Sequence, residues 1–444
     1  MEVRPALREA AHELLAAALE AADPAAAVRR SLALDGEVLR VGQTRLPLAR
    51  GARLRVVGGG KAGRAMTEAA VAVLGERIEA GVVIVPEVSP GAIGPVALRE
   101  GGHPVPTAAG VAGATELERL LDGLRPEDLV LCLLSGGGSA LLALPAAGLT
   151  LEDLVETTHA LLRAGCPIGE VNTVRKHLTR LGGGQLAARA HPARVAALVL
   201  SDVVGSPLEV IASGPATADP TTFAEALAVT ERARERGLLV PGSVEAALRE
   251  GASGTRPETP KPGDPRLAGV VQTLVGSNVV SAEAVVRRAR ELGFATLLLS
   301  TFLEGEAREV GRILAGVLRE LVTSDRPLAR PACVVLGGET TVTVQGRGRG
   351  GRNQELALSA ALALDGLEGA LLVSLATDGV DGPTDAAGAM VDGGTIARGG
   401  ALGLQARAHL AENDAYPYLA ATGDLLRLGP TGTNVNDLVL LLAG

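Results

Sequence analysis

The sequence predicts an α/β protein of two lobes, and three observations carry that prediction. Short apolar runs alternate with amphipathic stretches along the whole chain. Several of the runs are apolar without interruption, as strands buried on both faces of a parallel sheet are. One stretch, "EGASGTRPETPKPGDPRLAG" at 250–269, is dense in Gly, Pro and charge and breaks the pattern.

Taken in order, residues 1–23 place Leu7, Ala11, Leu14 and Ala18 on one face of an amphipathic helix, with acids interspersed, unlike a signal peptide. Strands follow at "RLRVV" (53–57), "GVVIV" (81–85), "LVLCLL" (129–134) and "VAALVL" (195–200), separated by helical patterns at 64–75 and 151–164. Beyond a helical segment at 222–236 comes the Gly/Pro stretch, which reads as a linker. The second lobe repeats the alternation, with strands at 295–300, 332–336, 371–376 and 437–442 and helices at 279–292, 304–322 and 354–364. "TTVTVQ" (340–345) alternates and reads as an antiparallel hairpin partner of "ACVVL". The expected domains are 1–249 and 270–444, joined by 250–269.

Composition removes several functions. A formal charge of −8 and five aromatic residues argue against a nucleic-acid surface, which is basic and stacks bases. No apolar run reaches the length of a membrane span, so a cytoplasmic protein is expected. Cys132, Cys166 and Cys333 show no metal or redox spacing, and the six histidines form no zinc pattern. Lysine occurs only at 61, 176 and 261, against 39 arginines.

Four apolar runs end in loops of Gly and small polar residues: "GGGKAG" (58–63), "SGGGSA" (135–140), "GGETT" (337–341) and "TDGVDGPTDAAG" (377–388). Ligands of parallel sheets bind at the carboxyl ends of strands, where these loops fall. Gly58, Gly60 and Gly63 fit G-x-G-x-x-G, and Lys61 stands where a P-loop lysine would. That leaves NAD, ATP or a plain tight turn. Ala62 lacks the hydroxyl a Walker loop uses for Mg²⁺, and the dinucleotide reading would use Glu87 for a ribose. Phosphoryl transfer needs cations, a carboxylate-held Mg²⁺ and a positioned alcohol. Cations are offered by Lys61, Arg175, Lys176 and Arg352, the last opening a helical pattern. Arg347 and Arg349 read as a solvated basic loop. Carboxylates come from Asp202, Glu339 and the cluster Asp378, Asp381 and Asp385, whose alternative is turn and cap duty. Four of only six asparagines, Asn172, Asn353, Asn434 and Asn436, fall in these same segments. The long Gly/Pro/Ser stretch at 201–223 reads as a functional loop or a surface connection.

Together, "VVGGGKAGRAM", "LLSGGGSALL", "EVNTVRKHLTRLGGGQLA", "LSDVVGSPLEVIASGPATADPTTF", "LGGETTVTVQGRGRGGRNQELAL", "ATDGVDGPTDAAGAMVD" and "GTNVNDLVLLL" resemble the class II glycerate kinases, over nearly the whole chain. The resemblance implies a Rossmann-like N-terminal domain, a smaller mixed α/β MOFRL domain and an active site in the cleft between them. It also implies phosphorylation of D-glycerate by ATP with a divalent metal, generally giving 2-phosphoglycerate. Its functional lysine and arginine fall on Lys61 and Arg352. The expected catalytic set is then Lys61, Arg352, Asp202 and Asp378, with Asp378 and Asp381 as ligands of Mg²⁺ or another divalent cation. Phosphate or the substrate carboxylate would rest on Lys61 and the backbone of 58–63 and 135–139, that is Gly59, Gly60, Ser135, Gly136, Gly137, Gly138 and Ser139. Arg175, Lys176, Glu339, Asn353, Glu355 and Asn434 complete the expected binding set. A homodimer is one allowed assembly. The alternatives are an NAD(P)H-dependent hydroxypyruvate reductase using the 58–63 glycines, a label some members of that family have carried, and a non-catalytic sensor of nucleotides or sugar acids.

Overall fold

The computed structural model describes residues 3–87 and 91–444, with the side chains of residues 3–6 outside the description. The chain divides into two compact units, 24–275 and a second one made of 276–444 together with the first 23 residues.

The 24–275 unit opens with a helix, Pro24–Ser31, and a small antiparallel sheet of β1 (Leu32–Asp35), β2 (Val38–Val41) and β3 (Thr44–Pro47). Its main sheet contains β4 (Leu54–Gly59), β5 (Ala80–Val85), β6 (Ala92–Ile93), β7 (Val96–Glu100), β8 (Leu129–Leu134), β9 (Arg194–Leu200) and β10 (Val270–Gly276), in the order β10-β9-β8-β4-β5-β7-β6. The pairs β4–β5, β4–β8, β5–β7 and β8–β9 are parallel. All six residues of β8 are buried, as its unbroken apolar run requires. The chain leaves β4 toward β5 and later returns on the other side of β4 as β8. Strand order therefore reverses between β4 and β8, and a doubly wound sheet leaves a crevice there. Four helices, Leu151–Arg163, Ile168–Leu178, Phe223–Glu235 and Gly242–Ala252, form a second core through Leu161, Val171, Phe223, Val229 and Val244.

The other unit has a mixed sheet of β11 (Ala295–Leu303), β12 (Ala332–Gly338), β13 (Ala370–Ala376), β14 (Gly388–Asp392), β15 (Leu425–Leu426) and β16 (Asp437–Ala443), in the order β11-β12-β16-β13-β14-β15. Only β11–β12 is parallel; β16 runs antiparallel to both β12 and β13. The ends of β12 and β13 and the start of β16 therefore share one edge. Helices Ala307–Ser324 and Arg352–Leu364 cover one face through Leu314, Leu318, Leu356 and Ala360. Helices Val3–Ala22 and Asn278–Glu291 cover the other.

Three sequence expectations change here. The N-terminal helix puts Leu7, Ala11, Leu14 and Ala18 against Val285, Cys333, Val373 and Leu440, so it belongs with the C-terminal sheet. Residues 250–269 are held within the 24–275 unit: Pro260 accepts from the Asp219 amide (2.8 Å) and Thr259 donates to the Asp219 carboxylate (3.0 Å). Finally, 340–345 forms no strand; Thr341 makes one isolated bridge with Glu306, and its neighbour Thr343 bonds the Glu306 carboxylate.

Candidate active site

In the 24–275 unit the loops after β4 and β8 lie against each other at the strand-order reversal. Gly60 has φ 148°, and a Cβ there would stand 2.0 Å from Ser135 Oγ, so no side chain fits. The contact is sealed by hydrogen bonds: Ala62 N–H donates to Ser135 Oγ (3.1 Å) and Lys61 N–H to Gly136 O (2.8 Å). Gly60 N–H donates to Ile84 O and Gly63 N–H to Gly60 O. The amides of 60–63 are thus already engaged, which corrects the expectation that this backbone holds phosphate. It also removes the amides that a dinucleotide pyrophosphate would use. What the first loop offers is the Lys61 ammonium, exposed and without an ion pair or hydrogen bond among the described residues.

The second loop is different. The amides of Gly136, Gly137 and Ser139 donate to no acceptor among the described residues. Gly137 is left-handed (φ 81°), the arrangement that turns successive amides toward one anion. A Cβ on Gly136 would meet Asp202 Oδ2 at 1.9 Å, so the carboxylate after β9 rests on this loop. Gly138 is matched to Ala212, whose Cβ would be 2.5 Å from a Cβ at 138. Ala212, Ser213 and Gly214 form a left-handed turn with φ 52°, 62° and 61°. Such a run is unfavourable for the first two residues and is over-determined by its surroundings. Ser213 Oγ donates to Ser139 Oγ (2.8 Å), and the Ser213 and Gly214 carbonyls accept from Gly183 and Gly184.

Helix Ile168–Leu178 supplies Arg175, which lines a cavity with Thr158, Thr179, Ser139 and Ser213. Its guanidinium is largely buried, has no carboxylate partner among the described residues, and is pushed below its ordinary pKa by that burial. A desolvated cation without a counter-ion is unfavourable until an anion arrives. The neighbouring Lys176 is a different case. Its buried ammonium pairs with Asp219 at 3.3 Å, and Asp219 also accepts from Thr221 and Thr259. Lys176 therefore holds the fold and leaves the expected binding set.

In the other unit, Arg352 opens helix Arg352–Leu364 at the shared edge of β12, β13 and β16. It grips Asp437 at 2.5 and 2.9 Å and Glu339 at 2.7 Å. Burial works against its charge, but the Asp437 hydrogen bond and the Asp437 and Glu339 charges outweigh it and raise its pKa. Glu339 also accepts from Asn436 Nδ2 (2.9 Å).

The carboxylate of Asp381 caps this helix: Oδ1 accepts from the amide and side chain of Asn353, Oδ2 from the amide and side chain of Gln354. With both oxygens doubly occupied, and burial raising its pKa against those donors, Asp381 does not fit the expected metal site. Gly351 is glycine because a Cβ would lie 2.3 Å from the Asp381 Cγ. Asn353, bonded to Asp381 and Ser374, and Glu355, salt-bridged to Arg308 at 2.7 Å and bonded to Asn413, are likewise occupied within the unit. Asn434 accepts from the Asn436 amide, an ordinary turn contact. Asp378 is half-buried; its carboxylate accepts from the Val380 amide and its carbonyl from the Thr431 amide. No group of three or more potential ligands gathers among the described residues, so Asp378 and Asp381 do not form a preorganised cage. Arg349, expected in a solvated loop, stacks 4.4 Å over Tyr416.

Residues absent from the sequence-based set also stand here. Asp437 was marked only by its motif. His103 follows β7 in "EGGHPVP", a glycine loop at a strand end, and its ring packs against Gly137.

Comparison with known proteins places these features in a family. Residues 10–249 match the family model described as a domain of unknown function, DUF4147, and residues 332–437 match the MOFRL family. The D-glycerate 2-kinase of Thermotoga maritima is 44% identical over 98% of this chain and 98% of its own. The glycerate 2-kinase of Pyrococcus horikoshii is 40% identical over 98% and 97%. A protein of Agrobacterium vitis provisionally named as a hydroxypyruvate reductase is 40% identical over 98% and 94%. The crystal structure of a Thermotoga maritima glycerate kinase superposes with a TM-score of 0.89 at 43% identity, covering 99% of this chain and 100% of that one. The chain belongs to the glycerate kinase family that joins a DUF4147 domain to a MOFRL domain.

Proposed function

We propose that this protein phosphorylates D-glycerate with ATP, giving 2-phosphoglycerate. The observation that supports it most is the pair of uncompensated cations, Lys61 and Arg175, beside the unengaged amides of Gly136, Gly137 and Ser139. A substrate with a carboxylate and a nucleotide with a phosphate chain both supply the missing anion. Lys61 and the 136–139 backbone hold phosphate, Arg175 the acid's carboxylate, and Asp202 orients the hydroxyl. Arg352 neutralises charge on the transferred group by exchanging part of its Asp437 and Glu339 contacts for phosphate oxygens. Preorganised cations act strongly because they need no reorganisation during transfer, and one such contact is worth about 10²–10³ in kcat. Asp378, the accessible carboxylate, would hold a Mg²⁺ ion together with phosphate oxygens and water, as is usual for this ion. That ion would shield the phosphate charge.

The test is ADP formation with D-glycerate, L-glycerate and hydroxypyruvate side by side, with ³¹P NMR locating the phosphorylated hydroxyl. Oxidation of NAD(P)H by hydroxypyruvate without ATP would establish the reductase instead, and ligand binding with no ADP from any acid would leave a sensor. No described helix is long and apolar enough to cross a membrane. We place the enzyme in the cytoplasm, with a homodimer as the assembly to be checked by light scattering.

A further inference from the structure

We propose that His103 touches the acid substrate and accepts the proton of the hydroxyl that is phosphorylated, an assignment that rests on the kinase reading above. A Cβ built on Gly137 would lie 2.8 Å from His103 Cδ2 and 3.3 Å from Lys61 Cγ, so the imidazole and the lysine stem flank the same backbone segment. That segment carries the unengaged amides. Neither ring nitrogen hydrogen-bonds any described residue, so a lone pair is free in the region where the anion is expected. The charged groups around the ring are Lys61 from the β4 loop and Arg175 from helix Ile168–Leu178, with Asp202 resting on the adjacent Gly136.

These surroundings set the ring's state. Burial, then the charges of Lys61 and Arg175, hold its pKa below the ordinary value near 6.5. The free enzyme thus presents a neutral imidazole at neutral pH, which is an acceptor. Anionic substrates offset both cations and raise its proton affinity as the reaction begins. In the step, the hydroxyl oxygen bonds to the γ-phosphorus and the bond from that phosphorus to the bridging oxygen of ADP breaks. The hydroxyl proton passes to a His103 nitrogen and is released to water after the products leave.

His103→Gln keeps the size and hydrogen-bonding capacity but cannot titrate. The expected result is a kcat lower by about 10²–10⁴ with KM for D-glycerate changed only a few-fold. The acid limb of the kcat/KM profile at saturating ATP should vanish as well. Asp202→Asn should lower kcat yet keep that limb. A kcat for His103→Gln within a factor of about three of wild type, or an unchanged acid limb, overturns the proposal. Independently, NMR of the wild-type imidazoles, with His103 assigned by its absence in the variant, should show titration below 6.5 that moves upward when inorganic phosphate is added. Titration at or above the ordinary value in the free protein overturns it too. If wild type forms no ADP, the kinase reading and this assignment fall together; if only the variant behaves as wild type, the assignment alone falls.

Discussion

Arg175 and Arg352 are the same residue type in opposite electrostatic states. Arg352 is 32% exposed yet grips two carboxylates, and its charge is locked on. Arg175 is more deeply buried and has none, and its charge is opposed. The fold stabilises the first; the second is held in place by its helix core and is compensated only when something binds. An arginine whose contacts are complete is part of the scaffold until a ligand displaces them. One whose contacts are missing already points to a ligand.

The largest effects should separate the two in activity and stability together. Lys61→Ala and Arg175→Met should each lower kcat/KM for D-glycerate by about 10²–10³ while the denaturation midpoint holds or rises, because no buried partner is orphaned. Arg352→Met should lose activity and also about 2–4 kcal/mol of stability, since Asp437 is left buried without its cation. Equal destabilisation by Arg175→Met in urea titrations would break the comparison. Lys176→Met, one residue from Arg175, should cost about 3 kcal/mol by orphaning Asp219. The next effect tests the vacancy directly. D-glycerate at a hundredfold its Kd should stabilise wild type by about 2.7 kcal/mol in calorimetry and, at the same concentration, give much less in Arg175→Met. The smallest concerns the turn that seats Ser213. Ala212→Gly relieves a left-handed alanine and should stabilise the protein by about 1 kcal/mol in urea titrations, with ADP formation unimpaired.

Much of this was legible in the residues because glycine, charge and apolar runs are local signals. Strands β4, β5, β8 and β9 of one large sheet and β11, β12, β13 and β16 of the other, with the loops at their ends, follow from them; β1–β3, β6, β7, β10, β14 and β15, short or broken by polar residues, do not. What failed to show is non-local or depends on phase. Arg175 and Lys176 adjoin in sequence, but successive helical side chains diverge by about 100°, and only packing decides which one meets Asp219. Asp378 and Asp381 look alike in one loop, yet only Asp381 lies under a helix that begins 29 residues earlier in the chain. The 58–63 glycines match a phosphate fingerprint, but their amides are taken by β5 and by the 135–136 segment, which no pattern within 58–63 reveals. "TTVTV" alternates as a strand would, but β16 already occupies the place beside β12. His103 lacked a motif altogether.

The first helix has a consequence for biosynthesis. Val3–Ala22 is synthesised before its partners, since its apolar stripe packs on helix Asn278–Glu291 and on strands of the 276–444 sheet. At roughly 5–20 residues per second, synthesis of the intervening 24–275 unit keeps that stripe waiting on the order of 10–50 s. Translation therefore leaves that apolar face uncovered until helix Asn278–Glu291 emerges.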